Sequence, residues 1–496
     1  MLPVRPLEHR LLRLLRSRVQ LSWPWLVLAG VCLIYLLSPA GWRVGDGDTL
    51  MHITLGHWVL QHRHVPQTDI FSYTLAGQPW VAHEWLAGVV MAAVSDLGGL
   101  HGVYVLSVMC AGVTLALQMR YLLKHLPVAY ALALVLLAGL ALQTHLLSRP
   151  HVLTWPVLTL WVGALWQAAE KRRVPSLVWL PLMTLWANLH GGFVLGLGLV
   201  PASAMLALYQ APADQRRALL RGWTAFGLGA GLASLLNPAG WHALVFALQV
   251  GTMDFMKVTI SEWMPYHDHS LKAWTLPVLA MAFITGLRMN PVRLICLLGL
   301  WSLAFESARF IAVLGLVAPF VLAQPLAEVF QRYATQMVLP PSLERWLNRL
   351  PNASTLLGVL LLACALAGLA LLTRDAARYR VERMTVPAQA LQALRQHGMQ
   401  GHGIHAQLYG GYLISQGIPV YIDGRIDMYG EQRAQDFLDL SQVKDMQKVE
   451  AELTRWNTQW ALLTNTTRLS LYLRLHPDWQ TVYQDAATTA LVRRAK

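Results

Sequence analysis

Gly45-Asp46-Gly47-Asp48-Thr49-Leu50-Met51-His52 follows directly on the first long apolar stretch of the chain, residues 22–41. Two carboxylates and an imidazole so near a lipid-facing segment are costly to hold there, and their usual reason is function. Asp48, His52 and Gly56 recur at i, i+4 and i+8 and make one polar stripe, while Met51, Leu55, Trp58 and Val59 make the opposing apolar stripe. The spacing predicts a helix that lies in the membrane interface with its acids turned toward a cavity.

Outward from that run, the 496 residues are 55% hydrophobic and only 13% charged. That is the composition of an α-helical polytopic membrane protein with a soluble remainder, not of a globular enzyme. Apolar spans are read at 22–41, 100–120, 128–147, 150–169, 174–189, 191–210, 220–236, 272–288, 291–305, 309–325 and 354–373. These are about eleven spans, and those shorter than the ~20 residues of a straight crossing read as broken or half helices.

Lys and Arg counted loop by loop orient the chain. With the N-terminus cytoplasmic, the inner segments hold the Arg5–Arg18 cluster, Arg120, Lys124, Lys171, Arg172, Arg173, Arg216, Arg217, Arg221, Arg288 and Arg293, whereas the outer ones hold few. The net charge of +13 is therefore a topology signal, and nucleic acid is excluded as a partner. The basic start reads as a retained signal anchor, because no small-residue cleavage site follows its apolar stretch. Cys32, Cys110, Cys296 and Cys364 all fall in expected spans, which argues against a disulfide framework or a cysteine metal site. The expected division is a basic cytoplasmic N-terminus (1–21), a transmembrane domain (22–373) with an outer loop 43–84 and an outer segment 237–271, and an outer α/β domain (374–496).

Inner connections such as Glu170-Lys171-Arg172-Arg173 read as charge anchors only, whereas the outer ones collect the unusual residues. Three outer junctions, Ser148-Arg149-Pro150-His151, Asn188-Leu189-His190-Gly191-Gly192 and Glu306-Ser307-Ala308-Arg309, join adjacent spans with almost no loop. Polar groups at that depth are tolerated only where they face protein or a water-filled cavity, so together they suit one pocket. In the tail, Pro387 to His397 reads as a helix. Pro419 to Asp423, Trp460 to Leu463 and Thr489 to Val492 read as strands of a small α/β layer.

These motifs, in this order, resemble the GT-C superfamily of integral-membrane glycosyltransferases, and within it poorly characterised bacterial members. The resemblance rests on Asp48-x-x-x-His52, Pro66-x-x-Asp69-x-Phe71-Ser72-x-Thr74, Pro79-Trp80, Glu84-Trp85-Leu86, Arg149-Pro150-His151, Trp186 to Gly192, Asn237-Pro238 and Glu262-Trp263. Gly410-Gly411-Tyr412 and Ile422-Asp423-Gly424-Arg425 add to it in the tail. It departs in lacking an aromatic residue directly after the first-loop acid, where Thr49 and Leu50 stand. The Trp-Trp-Asp-Tyr-Gly signature of oligosaccharyltransferase catalytic subunits is absent too, which counts against transfer to asparagine.

The resemblance implies a multi-pass protein of the bacterial inner membrane, with its C-terminal domain periplasmic. It would move a sugar from a polyprenyl-phosphate-linked donor to a lipid, glycan or protein acceptor. Such a reaction needs a base for the acceptor hydroxyl and donors for the departing phosphate. Asp48 is the first choice for the base, with Asp46 its partner or the true base. Arg149 and Arg309 suit the phosphate because a guanidinium is a planar fork of donors. His52, His151, His190, Asn188, Glu262 and Glu306 complete the substrate-binding candidates. A divalent cation, Mg or Mn, on Asp46 and Asp48 stays open.

Plainer readings stand beside these. Asp48 is also a good N-cap, Glu306 and Arg309 a good i, i+3 salt bridge, and Glu84-Trp85 and Glu262-Trp263 good helix caps and interfacial anchors. The rival functions are a lipid or glycan transporter or flippase, and a non-catalytic envelope assembly protein.

Overall fold

The computed structural model describes residues 19–38, 46–251, 253, 263–264, 282–333, 340–374 and 386–494. Glu262, the basic start and most of the expected span 272–288 lie outside the described residues. Among the described residues, four helices are long and apolar enough to cross a membrane: Trp85–Leu122, Pro150–Glu170, Phe193–Gln210 and Phe310–Arg332. Shorter apolar helices, among them Trp23–Leu37, Val128–Gln143 and Leu356–Leu372, pack beside them. The first of the four begins well before the expected span 100–120 and continues into it across a kink at Gly99.

One continuous core of Leu, Val, Ala and Trp side chains runs through this bundle, with Trp161, Trp166, Trp186 and Trp223 fully buried in it. At one end Arg293 is buried and donates to Glu170 at 2.8 Å, to Gln324 at 2.7 Å and to the Val321 carbonyl at 2.8 Å, while Tyr121 donates to Glu170 at 3.0 Å. Glu170 is therefore a half-buried clamp between helices and not the bland anchor its basic neighbours suggest. A buried charge pair persists only when its remaining valences are filled in this way.

The helix that carries the acidic run spans Gly47–His62. Its N-cap is Asp46, whose side chain accepts from the Asp48 N–H, so Asp48 falls in the first turn instead of capping it. Residues 386–494 build a four-stranded mixed sheet, order β1-β2-β4-β3, from β1 (Gly403–His405), β2 (Trp460–Thr464), β3 (Trp479–Gln484) and β4 (Thr488–Arg493). β1 and β2 run parallel; the other pairs are antiparallel. Helices Ile426–Ser441, Met446–Arg455 and Arg468–Leu475 accompany it.

The expected strand at Pro419 to Asp423 is buried from Val420 onward but is not part of this sheet. Its backbone pairs with the first long loop: Val420 N–H donates to the Phe71 carbonyl at 3.0 Å and Tyr73 N–H to the Val420 carbonyl at 3.1 Å. Thr74 adds a side-chain bond to the Tyr421 carbonyl at 2.7 Å. An apolar run needs a partner for its backbone, and here the partner lies some 350 residues earlier in the chain.

Candidate active site

The Pro66 to Thr74 motif and the Ile422 to Arg425 motif meet in one buried junction. Arg425 donates to Asp69 at 2.8 Å and forks onto Asp423 at 2.8 and 2.6 Å, with Trp80 4.5 Å beneath its guanidinium. Tyr429 donates to Asp423 at 3.0 Å, and Asp69 also accepts from the Phe71 and Ser72 backbone N–H groups. Burial opposes the charge on Asp423, but Arg425 outweighs it and holds that carboxyl below its ordinary value.

The junction presses the C-terminal domain onto the Gly47–His62 helix. A Cβ on Gly411 would run into the Gly47 backbone, and one on Gly47 would sit 2.9 Å from the Leu408 carbonyl. Gly424 lies against the Asp48 carboxylate itself, where a side chain would strike Oδ1.

Between the domain and the bundle lies a cavity of about 950 Å³. Of the sequence candidates, Asp46, Asp48, His52, Arg149, His151, His190 and Arg309 line it. Asn188 and Glu306 do not. Asn188 is used within the fold, donating to the Thr184 and Leu236 carbonyls at 2.8 Å each and accepting from Trp85 Nε1 at 3.0 Å, so it closes a helix junction. Glu306 ends its helix exposed, and Arg309 turns instead toward His190 and the Trp263 ring.

Two charged groups occupy the cavity. In the first, Arg149 pairs through Nε with Asp46 and through Nη1 with Asp48, the latter at 3.3 Å. The expected phosphate grip is thus already engaged by both acids. The Mg or Mn expectation fits this arrangement poorly, because a guanidinium bridges the two carboxylates. Among the described residues no three His, Cys, Asp or Glu side chains gather with metal-ligating geometry.

The second group centres on Glu84, with His52 and His190 at 3.3 Å and His83 at 3.8 Å. Glu84 caps the Trp85 helix by position only, making no side-chain cap bond. Gly192 N–H donates to His190 Nδ1 at 2.9 Å, which leaves the ring proton on Nε2, facing Glu84. Burial by itself would raise the Glu84 carboxyl; the His83, His52 and His190 rings and Arg309 reverse this and hold it at about 2. Burial first, and Arg309 after it, push His190 down to about 3, so its imidazole is neutral near pH 7. His52 Nδ1 and Trp186 Nε1 are buried without a hydrogen-bond partner, and both residues border the cavity. His151 donates through Nε2 to the His145 carbonyl at 2.9 Å.

Sequence reading did not single out Glu84 or Asp427 for this site. The signal for Glu84 was its neighbour His83, since a carboxylate and an imidazole both start the same apolar helix. Asp427 carries no local signal, as only the junction brings it to the cavity. Burial, with Glu84 nearby, raises its carboxyl against the pull of His83.

No protein-family model and no curated protein matches the sequence. Solved structures do match the fold. The oligosaccharyltransferase AglB of Archaeoglobus fulgidus, in complex with an inhibitory peptide and a dolichol-phosphate, superposes with a TM-score of 0.55 at 12% identity, over 89% of this chain and 69% of that one. Its apo form gives 0.54 at 11% identity over the same shares. ArnT from Cupriavidus metallidurans, bound to undecaprenyl phosphate, gives 0.50 at 13% identity over 95% of this chain and 98% of that one. The chain therefore has the GT-C fold of polytopic, integral-membrane glycosyltransferases.

Proposed function

We propose that the protein is a membrane glycosyltransferase that moves a sugar from a polyprenyl-phosphate carrier to an acceptor hydroxyl. The observation that carries this reading is one cavity, in a GT-C fold, that joins an acid pair to an Arg–His group and continues between apolar side chains such as Leu158, Val313 and Leu316. The apolar part suits the isoprenoid chain, and the polar part suits its phosphate and sugar.

In this reading Asp48 takes the acceptor proton as the acceptor oxygen attacks the anomeric carbon. The bond from that carbon to the phosphate oxygen breaks, and the electron pair leaves with the polyprenyl phosphate. Arg309 receives the phosphate charge, and Trp186 Nε1, buried without a partner, is a further donor for it or for a sugar oxygen. Arg149 is a positioning residue that holds Asp48 and Asp46. The membrane is the bacterial inner membrane, crossed by about eleven spans, with the N-terminus cytoplasmic and the C-terminal domain periplasmic.

The test compares envelope glycans from cells that carry the wild-type protein, no protein or Asp48→Asn at equal abundance. A glycan made by the wild type and missing from the other two supports the enzyme. A profile that Asp48→Asn leaves unchanged removes Asp48 as the base.

A further inference from the structure

The two halves of the cavity wall differ in chemistry. The helical half supplies the charge, through Asp46, Asp48, Glu84, Arg149 and Arg309. The C-terminal domain supplies an amide, Gln407, the hydroxyls of Ser441, Thr464 and Thr467, one carboxyl, Asp427, and the apolar ring of Phe437. It lends the wall a single cation, Arg425, which is committed to Asp69 and Asp423.

The placement of these groups follows from the topology. β1 and β2 are parallel, so their C-terminal ends open on the same edge, the usual place for a ligand crevice. Gln407 follows β1, Thr464 ends β2 and Thr467 caps the next helix. The locked turn that sets Gly424 on the Asp48 carboxylate leads directly into the helix that carries Asp427.

We infer that the C-terminal domain is the acceptor subsite and that the acceptor is a carbohydrate, its hydroxyls bound by Gln407, Asp427, Thr464 and Thr467 on the wall of the cavity that Asp48 also lines. Neutral donors and acceptors with one carboxyl match the paired hydroxyls of a sugar, and Phe437 offers apolar surface to its C–H face. A phosphate-bearing headgroup would want cations that this wall keeps paired. A peptide strand would want a sheet edge, and the cavity meets strand ends. The inference rests on Asp48 as base and on the polyprenyl-phosphate donor.

The experiment uses the full chain in two arms. Native mass spectrometry measures retention of undecaprenyl phosphate by the purified wild type, Gln407→Ala, Asp427→Ala and Arg309→Ala. Linkage analysis of the envelope then identifies the atom that receives the transferred sugar in cells carrying each of them. The expected result is a new sugar-to-sugar glycosidic linkage with the wild type. Gln407→Ala and Asp427→Ala should each lower it roughly tenfold, the scale of one lost hydrogen bond to a bound group, while retaining undecaprenyl phosphate as the wild type does. Only Arg309→Ala should lose the lipid.

Transfer to an amino-acid side chain or to a lipid phosphate overturns the carbohydrate acceptor and leaves the donor reading standing. Undiminished linkage in both acceptor-side variants overturns the subsite. Failure of the wild type to retain undecaprenyl phosphate removes the donor reading and this inference with it.

Discussion

Glu84 and Arg149 both changed their reading once their neighbours were known. Glu84 looks like a helix cap beside a tryptophan, yet three imidazoles surround it. Arg149 looks like a phosphate fork, yet two aspartates hold it. With Asp48 as the proposed base, Asp48→Asn should slow sugar incorporation by about 10²–10⁴-fold, the usual worth of a positioned base, measured per molecule of folded protein. The Glu84 group also makes a pH prediction. His190 has a folded value near 3 against an ordinary 6.5, and Glu84 one near 2 against 4.5. Below each ordinary value the unfolded chain therefore takes up more protons than the folded one, so stability falls on acidification. The loss starts below pH 6.5 for His190, and Glu84 adds to it below 4.5. Thermal unfolding of the detergent-purified protein should show a melting temperature that declines from pH 7 to pH 4, and His190→Gln should flatten the upper part of that decline. An unchanged slope in His190→Gln would contradict the assignment of a neutral, buried imidazole.

The elements were legible where a period or a composition marked them. The Gly47–His62 helix, the apolar helices and strands β2 and β4 lie close to where hydrophobic pattern put them. β1 and β3 were missed because three residues, Gly403–His405, and a largely exposed strand, Trp479–Gln484, carry too little alternation to declare themselves. The segment from Pro419 to Asp423 shows the limit most clearly. Its apolar run announces burial, but burial alone does not name the partner, which proved to be the Phe71–Thr74 loop. Arg425→Met would leave Asp69 and Asp423 buried without their counter-charge, at a cost of about 3–5 kcal/mol. Chemical denaturation should show that loss, together with faster proteolysis of the C-terminal domain. Gly411→Ala should loosen the same contact by a different route, since its methyl group meets backbone on the Gly47 helix. A domain that resists protease as the wild type does, in both variants, would mean the junction does not hold it in place.

At the scale of the molecule, the prediction concerns topology. With the four native cysteines replaced, a cysteine at exposed Lys171 should react only with a reagent that reaches the cytoplasm, and one at exposed Gln480 with an impermeant reagent added outside. Reversed labelling would put the site on the other face. Composition, span pattern and charge bias are local sums along the chain, so a membrane protein with a terminal α/β domain, and the acids and arginines worth watching, could be read from sequence. Which of those residues share a cavity could not. Asn188 is used up at a helix junction, Glu84 becomes the hub of three imidazoles, and Asp427 arrives from the far end of the chain. Each depends on contacts between residues far apart in sequence, which no local pattern encodes. Only the packed structure decides them, because hydrogen-bond and charge partners are set by which surfaces bury one another.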